Sequence, residues 1–447
     1  MPQVLRVVAD AVEDRSPRGI AAAISRLVLD GALPAGTRLP TVRELGAALG
    51  VSPATVSHAF RALAGVGLVA SRGRAGTRVL GTGTTWLPPR YRDLAGPHGG
   101  FRLDLSTGTP DPLLLPDLAP VLAGLGSRAL TTSYLDTPVL PGLEQHLRSS
   151  WPYPVEAVTV VDGAFDAMAR SLELLVRFGD RVVVENPCFP PLLDLLDQLG
   201  AERVPVPTDE AGLVPAGFAA ALATAPAAVV LQPRAHNPTG VSLTPGRAAE
   251  LAGALRGHRD AERTVVVEDD HSGAVSTAAD VSLGTHVPER VLHVRSFSKS
   301  HGPDLRIAAL GGPAALVDRI VARRMLGPGW TSRMLQQVLL ELLTGNDGIL
   351  AVTEARRAYH ARQREMVRAL HAHGAAASPG DGVNLWLPVA SESEAIVHLA
   401  AAGVRVAPGR PFGSGPADGP EHVRVTVGLV RGDVDALGRL LAAAAAA

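Results

Sequence analysis

The chain has 447 residues, 46% of them hydrophobic and 19% charged, a composition that provides for large cores and more than one domain and excludes a mostly disordered polypeptide. One cysteine, Cys188, excludes an internal disulfide framework and suits a reducing cytoplasm. The net charge of −1 hides an asymmetry: residues 1–80 carry ten arginines against five acids, +5, which leaves 32 basic and 38 acidic residues, −6, for 81–447, so a basic module is expected on an acidic body.

In chain order, the first predicted element is a helix over Arg18 to Asp30, with Ile20, Ile24, Leu27 and Val28 on one face and Gly31 as its stop. Thr41 and Glu44 have capping-box spacing at the head of a second, short helix that ends at Gly50. A third helix opens at Val51-Ser52-Pro53, with Ser52 as N-cap, Pro53 at the first helical position and Val51 able to staple onto Val56. Leu68 to Ala70 and Thr77 to Leu80 read as two strands around Arg72-Gly73-Arg74-Ala75-Gly76, a tight turn rich in guanidinium. Two helices joined by a glycine-containing turn, followed by such a hairpin, make a winged helix-turn-helix. Its second helix would enter the major groove, so Ser52, Ala54, Thr55 and His58 are the expected contacts to bases or phosphates. Arg43, Arg72, Arg74 and Arg78 would neutralise phosphates, and Gly76 would close the wing. From Arg18 to Val79 the segment resembles the DNA-binding domain of GntR-type regulators, most closely in 36–45, Gly-Thr-Arg-Leu-Pro-Thr-Val-Arg-Glu-Leu, and in 51–56, Val-Ser-Pro-Ala-Thr-Val. Pro53 stands where that family often has arginine, which removes one expected contact.

Residues 81–100, with glycine, proline, threonine, Trp86 and Tyr91, read as a linker without a secondary-structure element, so the expected domains are 1–80, the linker, and 101–447. In the third segment apolar runs alternate with helical stretches: Val182 to Val184, Val229 to Leu231, Val265 to Val267 and Val291 to Val294. Near-continuous β-branched runs imply strands covered on both faces, hence an α/β fold with a mainly parallel sheet. Ligands of such sheets bind at the carboxyl ends of the strands. There the chain places Asp162-Gly163-Ala164, Asn186 to Phe189, His236 to Gly240, Glu268 to His271 and Ser296 to Arg306. Thr331 to His373 reads as mostly helical, and Val383 to Leu387, Val404 to Ala407 and Val423 to Val427 as strands of a small C-terminal α+β subdomain.

One residue in this set is singular. Lys299 is the only lysine, all 41 other basic residues being arginine, and it follows an apolar alternating run ended by Ser296, Phe297 and Ser298. Arginine stays protonated, whereas a lysine amine can lose its proton and form a Schiff base with an aldehyde. Taken singly, each polar cluster is ambiguous: Asn-Pro-Thr-Gly is a good turn, and Asp-Asp after a strand commonly caps a helix. Taken together they match the needs of pyridoxal phosphate, which are an amine for the aldehyde, a carboxylate for the pyridine nitrogen, a ring to stack, and amides, hydroxyls and arginine for the phosphate.

From about Leu103 to Thr426 the chain is similar to fold-type I, aspartate aminotransferase-like, enzymes; with the GntR-type module the whole resembles a MocR-type regulator. The resemblance implies Lys299 as the Schiff-base lysine, Asp269 facing the pyridine nitrogen, Asn237 at the phenolic oxygen and Phe189 stacked on the ring. It implies Ser296 and Arg306, with the Gly163 and Ala164 backbone and Ser298, as the phosphate cup, and Arg424 as the clamp for an α-carboxylate. Tyr134 would reach the phosphate from the partner of a homodimer. His271 stands where the family usually has a tyrosine that donates to the phenolic oxygen, and imidazole could donate there too. Asp162 stands where a hydroxyl is usual, and must turn away from a phosphate, for instance to cap the helix.

The expected function is that of a DNA-binding transcription regulator that senses an amine, an amino acid or the cofactor itself. A working aminotransferase with an incidental N-terminal module, or a plain repressor whose body is a cofactor-free dimerisation scaffold, would carry much the same motifs. Short apolar runs broken by proline, such as 219–231, argue against a membrane span, no signal pattern opens the chain, and cytoplasmic residence is expected. The histidines form no cluster with metal-ligand spacing, so no metal is expected.

Overall fold

The computed structural model describes residues 2–29, 31–34, 36–65, 69–71, 76–79, 87–95, 101–125, 133–415 and 419–447. They form two compact units, 1–93 with 177–180 and 190–202, and 94–176 with 181–189 and 203–447.

In the first unit, helices α1 (Pro2–Ala11), α2 (Pro17–Leu29), α3 (Val42–Leu49) and α4 (Pro53–Gly65) precede an antiparallel hairpin of β1 (Val69–Ser71) and β2 (Thr77–Val79). The capping box forms reciprocally: Glu44 N–H donates to Thr41 Oγ1 (3.2 Å) and Thr41 N–H to Glu44 Oε2 (2.8 Å). Gly50 ends α3 in the left-handed region at φ 67°. Ile20, Ile24, Leu45, Leu49, Val56, Phe60 and Leu63 are buried together with Val69 and Val79, so the hairpin is anchored by one residue from each strand. The segment expected to lack structure holds a helix, α5 (Pro89–Ala95). Proline at its first position presets φ, and Arg90 reaches Asp194 Oδ1 and Asp197 Oδ2 at 2.7 Å each. Ion pairs more than a hundred residues away leave no local periodicity, which is why the sequence reading missed this helix.

The second unit is built on an eight-stranded sheet in the order β4-β11-β10-β9-β8-β5-β6-β7. The strands are β4 (Ala157–Val161), β5 (Arg181–Asn186), β6 (Glu202–Asp209), β7 (Gly212–Leu213), β8 (Ala228–Leu231), β9 (Val265–Asp270), β10 (Val291–Ser296) and β11 (Ala308–Gly312). The central run β10-β9-β8-β5 is parallel, as the β-branched runs imply, while β11 is antiparallel to both of its neighbours, making the sheet mixed. A second sheet, in the order β12-β14-β13-β3, joins β12 (Leu385–Val389), β13 (Val404–Pro408) and β14 (Glu421–Val425) to β3 (Leu103–Leu105), a strand from some 280 residues upstream of β12 that the sequence reading did not anticipate. Helices α6 (Ala164–Leu175), α7 (Arg333–Thr344), α8 (Asn346–Ala372) and α9 (Val434–Ala445) flank the two sheets.

Candidate cofactor pocket and DNA-facing residues

Strands β9 and β10 are paired in parallel with Asp269 opposite Val294, so their carboxyl ends bring Asp269 and the segment carrying Lys299 to one side of the sheet. Lys299 is half-buried, and its amine donates to the carbonyl oxygen of Gly108, just beyond β3. Loss of water around the amine, reinforced by the nearby Arg424 cation and opposed by Asp269, lowers its pKa from 10.5 to about 8. Asp269 is buried; Gln232 Nε2 donates to its Oδ2 at 2.8 Å, while Oδ1 has no partner among the described residues. A buried carboxylate oxygen left open in this way fits a protonated ring nitrogen.

Arg424, on β14, is 3% exposed, and no carboxylate pairs with it among the described residues. It donates from Nη1 to Asn237 Oδ1 (3.1 Å) and from Nη2 to Ser106 O, and its guanidinium carbon lies 5.1 Å from the centre of the Phe412 ring. Burial lowers its pKa from 12.5 to about 10, so it remains a cation at neutral pH. Because guanidinium only donates, Asn237 Oδ1 must accept, which leaves the amide NH2 as the donor available to a ligand.

The helix start expected to form the phosphate cup has an open backbone. Gly163 precedes α6 at φ 105° without any side-chain cap, leaving the first N–H groups of the helix available to an anion. Arg306, itself left-handed at φ 48°, approaches so closely that a Cβ on Gly163 would lie 2.8 Å from Nη2. Ser298 N–H donates to Ser296 Oγ at 3.3 Å. Gly163→Ala should therefore weaken pyridoxal phosphate binding roughly tenfold through backbone strain and displacement of Arg306. Unphosphorylated pyridoxal should be little affected, and fluorescence titration with both ligands checks this. Asp162 does turn away, but it does not cap α6: it accepts from Arg324 Nη2 (3.0 Å) and Thr331 Oγ1 (2.6 Å), a buried cation and hydroxyl that neutralise it.

Phe189 is half-buried and meets Phe165 edge-on, with centroids 6.3 Å apart, leaving its ring placed to stack. His271 departs from the donor expectation. Its Nε2 lies 2.9 Å from Ala235 O and its Nδ1 3.3 Å from Ser272 Oγ. A carbonyl only accepts, so Nε2 carries the proton and points it at the main chain. Desolvation lowers the pKa of His271, which keeps it neutral. Tyr134 is 84% exposed beside Trp330, and within one chain it is not brought to the other residues.

In the first unit Arg43 and His58 are exposed on α3 and α4. Ser52 caps α4, accepting from Thr55 N–H (3.1 Å) and sharing a 2.8 Å hydroxyl contact with Thr55, so both hydroxyls are oriented as a pair. Arg78, expected at a phosphate, donates from Nη1 to Gly36 O (2.8 Å) and braces the wing. Gly76 is left-handed at φ 80°, with Arg38 Nε 2.9 Å from where its Cβ would be, so Arg38 joins the wing without having been anticipated. Arg72 and Arg74 lie outside the described residues.

Ligand atoms of Asp270, Asp280 and His293 come within 4.8 Å of one another, a grouping that sequence spacing did not reveal. Arg234 already pairs with Asp270 (2.5 Å) and Asp280 (3.3 Å), and Arg295 with Asp280 (3.4 Å), so the negative charge there is met by guanidinium. Sequence reasoning also missed Gln232, Gly108 and the buried Glu185, which carry no motif.

Fold and pocket together define a class: a helix-turn-helix module joined to an aminotransferase-like body. Residues 102–440 match the family described as Aminotransferase class I and II, and residues 17–79 match Bacterial regulatory proteins, gntR family. The chain is 36% identical over 422 residues to the vitamin B6 salvage pathway transcriptional repressor PtsJ of Salmonella typhimurium, covering 93% of this chain and 95% of that one. It is 30% identical over 431 residues to the HTH-type transcriptional regulator TauR of Rhodobacter capsulatus, covering 86% and 87%. The alpha-aminoadipate aminotransferase LysN of Thermus thermophilus, solved with N-(5'-phosphopyridoxyl)-L-leucine, superposes with a TM-score of 0.68 at 23% identity over 80% of this chain and 95% of that one, a likeness of fold. The chain belongs to the MocR-type transcription regulators, GntR-type DNA-binding domains fused to a class I and II aminotransferase domain. That family implies pyridoxal phosphate as cofactor and DNA as partner, and no helix among the described residues is long and apolar enough to cross a membrane.

Proposed function

We propose that this chain is a cytoplasmic, homodimeric transcription regulator that holds pyridoxal phosphate through Lys299 and converts the arrival of the cofactor, or of an amine or amino acid, into a change of DNA affinity. The observation that carries this reading is the convergence, in one pocket, of a desolvated amine, a buried carboxylate with an open oxygen and a buried guanidinium without an acid partner. When bound, pyridoxal phosphate supplies an aldehyde for which Lys299 and a free amine compete. Asp269 holds the proton of the ring nitrogen, Asn237 donates to the phenolic oxygen, Phe189 covers the ring, and Gly163, Ala164, Ser296, Ser298 and Arg306 hold the phosphate. Arg424 receives the carboxylate of an amino acid. The similarity to PtsJ, a repressor of the vitamin B6 salvage pathway, supports the cofactor itself as a signal.

The homodimer is supported by exposed apolar groups at Tyr134, Leu135, Leu326 and Met334, with Tyr134 offered to the partner's pocket. Such a ligand changes DNA affinity only by binding two conformations of the body differently. The test is to titrate the coloured protein with candidate amines, amino acids and pyridoxal phosphate while following affinity for a fragment upstream of its own gene. An affinity unmoved by every ligand would overturn the sensor, and rapid multiple turnover with an amino donor and a keto acceptor would mark an enzyme instead. On the DNA side, Arg43→Ala should weaken binding about tenfold or more and flatten its salt dependence by about one counterion, while leaving cofactor absorbance intact; Thr55→Ala should reduce discrimination between sequences. Gel-shift titrations at several salt concentrations read both effects.

A further inference from the structure

Gln232 follows β8, is 7% exposed and makes three hydrogen bonds. Its N–H donates to Glu185 Oε2 (2.9 Å), its Oε1 accepts from the Asn237 N–H (2.8 Å), and its Nε2 donates to Asp269 Oδ2 (2.8 Å). The order of these bonds leaves no choice of orientation. A backbone N–H can only donate, so the side-chain oxygen of Gln232 must face Asn237. Its NH2 must then face Asp269, and Asp269 must accept at Oδ2. Oδ1 is left as the one buried oxygen of this group without a partner.

The same amide therefore fixes two groups of the pocket, the carboxylate and the main chain of Asn237. Asn237 is itself fixed at its side chain by Arg424. Electrostatics point the same way. The pKa of Asp269 is raised, chiefly by burial, and the Gln232 bond opposes that rise by favouring the charged form. Glu185, on the far side of the glutamine, is buried, and burial pushes its pKa well above the ordinary value.

We propose that Gln232 is a positioning residue for the cofactor ring: it selects which oxygen of Asp269 meets the pyridine nitrogen and keeps that carboxylate ionised, so that the pocket selects a ring carrying a proton on nitrogen. The inference rests on the cofactor reading above. It goes further by assigning ring-state selectivity to a residue that never touches the cofactor.

The full-length protein is compared as wild type, Gln232→Leu and Gln232→Glu, by titration with pyridoxal phosphate and with its 1-deaza analogue, in which C–H replaces the ring nitrogen. The analogue has no ring nitrogen to protonate and makes no bond to Asp269. Loss of a hydrogen bond to a charged group should weaken pyridoxal phosphate binding roughly 10- to 100-fold in Gln232→Leu. Binding of the deaza analogue should change less than about threefold, because it has no ring cation for an ionised Asp269 to hold. Gln232→Glu keeps the volume but sets a second carboxyl group against Asp269, and should show the same contrast, which keeps the proposal testable if the leucine variant folds poorly. Equal losses for both ligands would make Gln232 merely structural and overturn the inference, as would equal binding by all three proteins. A wild type that binds neither ligand would overturn the cofactor reading itself.

Discussion

Lys299→Met abolishes the absorbance of the lysine-bound cofactor and lowers affinity for pyridoxal phosphate by two to three orders of magnitude, about 3–4 kcal/mol, leaving only the contacts of the phosphate and ring. The same substitution makes the cofactor-free protein more stable at neutral pH. In the folded protein the pKa of the amine is depressed from 10.5 to about 8, so folding disfavours its charged form. That penalty is fully present below pH 8, where folded and unfolded chains are both protonated, and is relieved as pH rises from about 8 to 10.5, where only the unfolded chain still holds the proton. A shift of this size amounts to about 3 kcal/mol, and the lost bond to Gly108 O offsets part of it, so the expected gain is about 1–3 kcal/mol. Denaturant unfolding across that pH window checks both points: wild type should gain stability with pH through this residue, and the methionine variant should lack that gain. A methionine variant less stable than wild type at pH 7 would mean that the amine is solvated.

Arg424→Gln removes the discrimination between an amino acid and its decarboxylated amine. In the wild type the bidentate clamp should favour the carboxylate-bearing ligand by about 100-fold, and the variant should bind the two alike. Affinity for pyridoxal phosphate should stay within about threefold, since the glutamine amide can still donate toward Asn237. Arg424→Lys should not restore the preference, because an ammonium cannot reproduce two parallel N–H bonds in a buried site. Competition of each ligand against the cofactor absorbance measures the wild type and both variants. Equal discrimination in wild type and Arg424→Gln would remove Arg424 from the ligand site.

What the sequence made legible follows from how local the causes are. The capping box at Thr41 and Glu44, the stop at Gly50 and the strand ahead of Lys299 depend on neighbours within a few residues, and they formed where expected. Asp269 and Asn237 were recognisable because they sit in short motifs at strand ends. Gln232 was not, since its significance lies in two partners that only the fold brings to it, five and 37 positions away. Helix α5 was invisible for a similar reason: the acids that hold Arg90 lie 104 and 107 residues further on. His271 and Arg78 were assigned by position alone, and both give their N–H groups to main-chain carbonyls, a competition that no residue pattern reports.

The bond from Lys299 to Gly108 O makes the amine a fastener between the edge of the small sheet and the floor of the large one. A nitrogen doubly bonded to carbon has at most one hydrogen left, where a free ammonium has three. A cofactor held there would leave the amine at most one N–H for the Gly108 carbonyl. On the cofactor reading proposed above, loading the pocket would exchange a polar stitch within the chain for a covalent one to a guest, and the 106–110 segment would register the exchange.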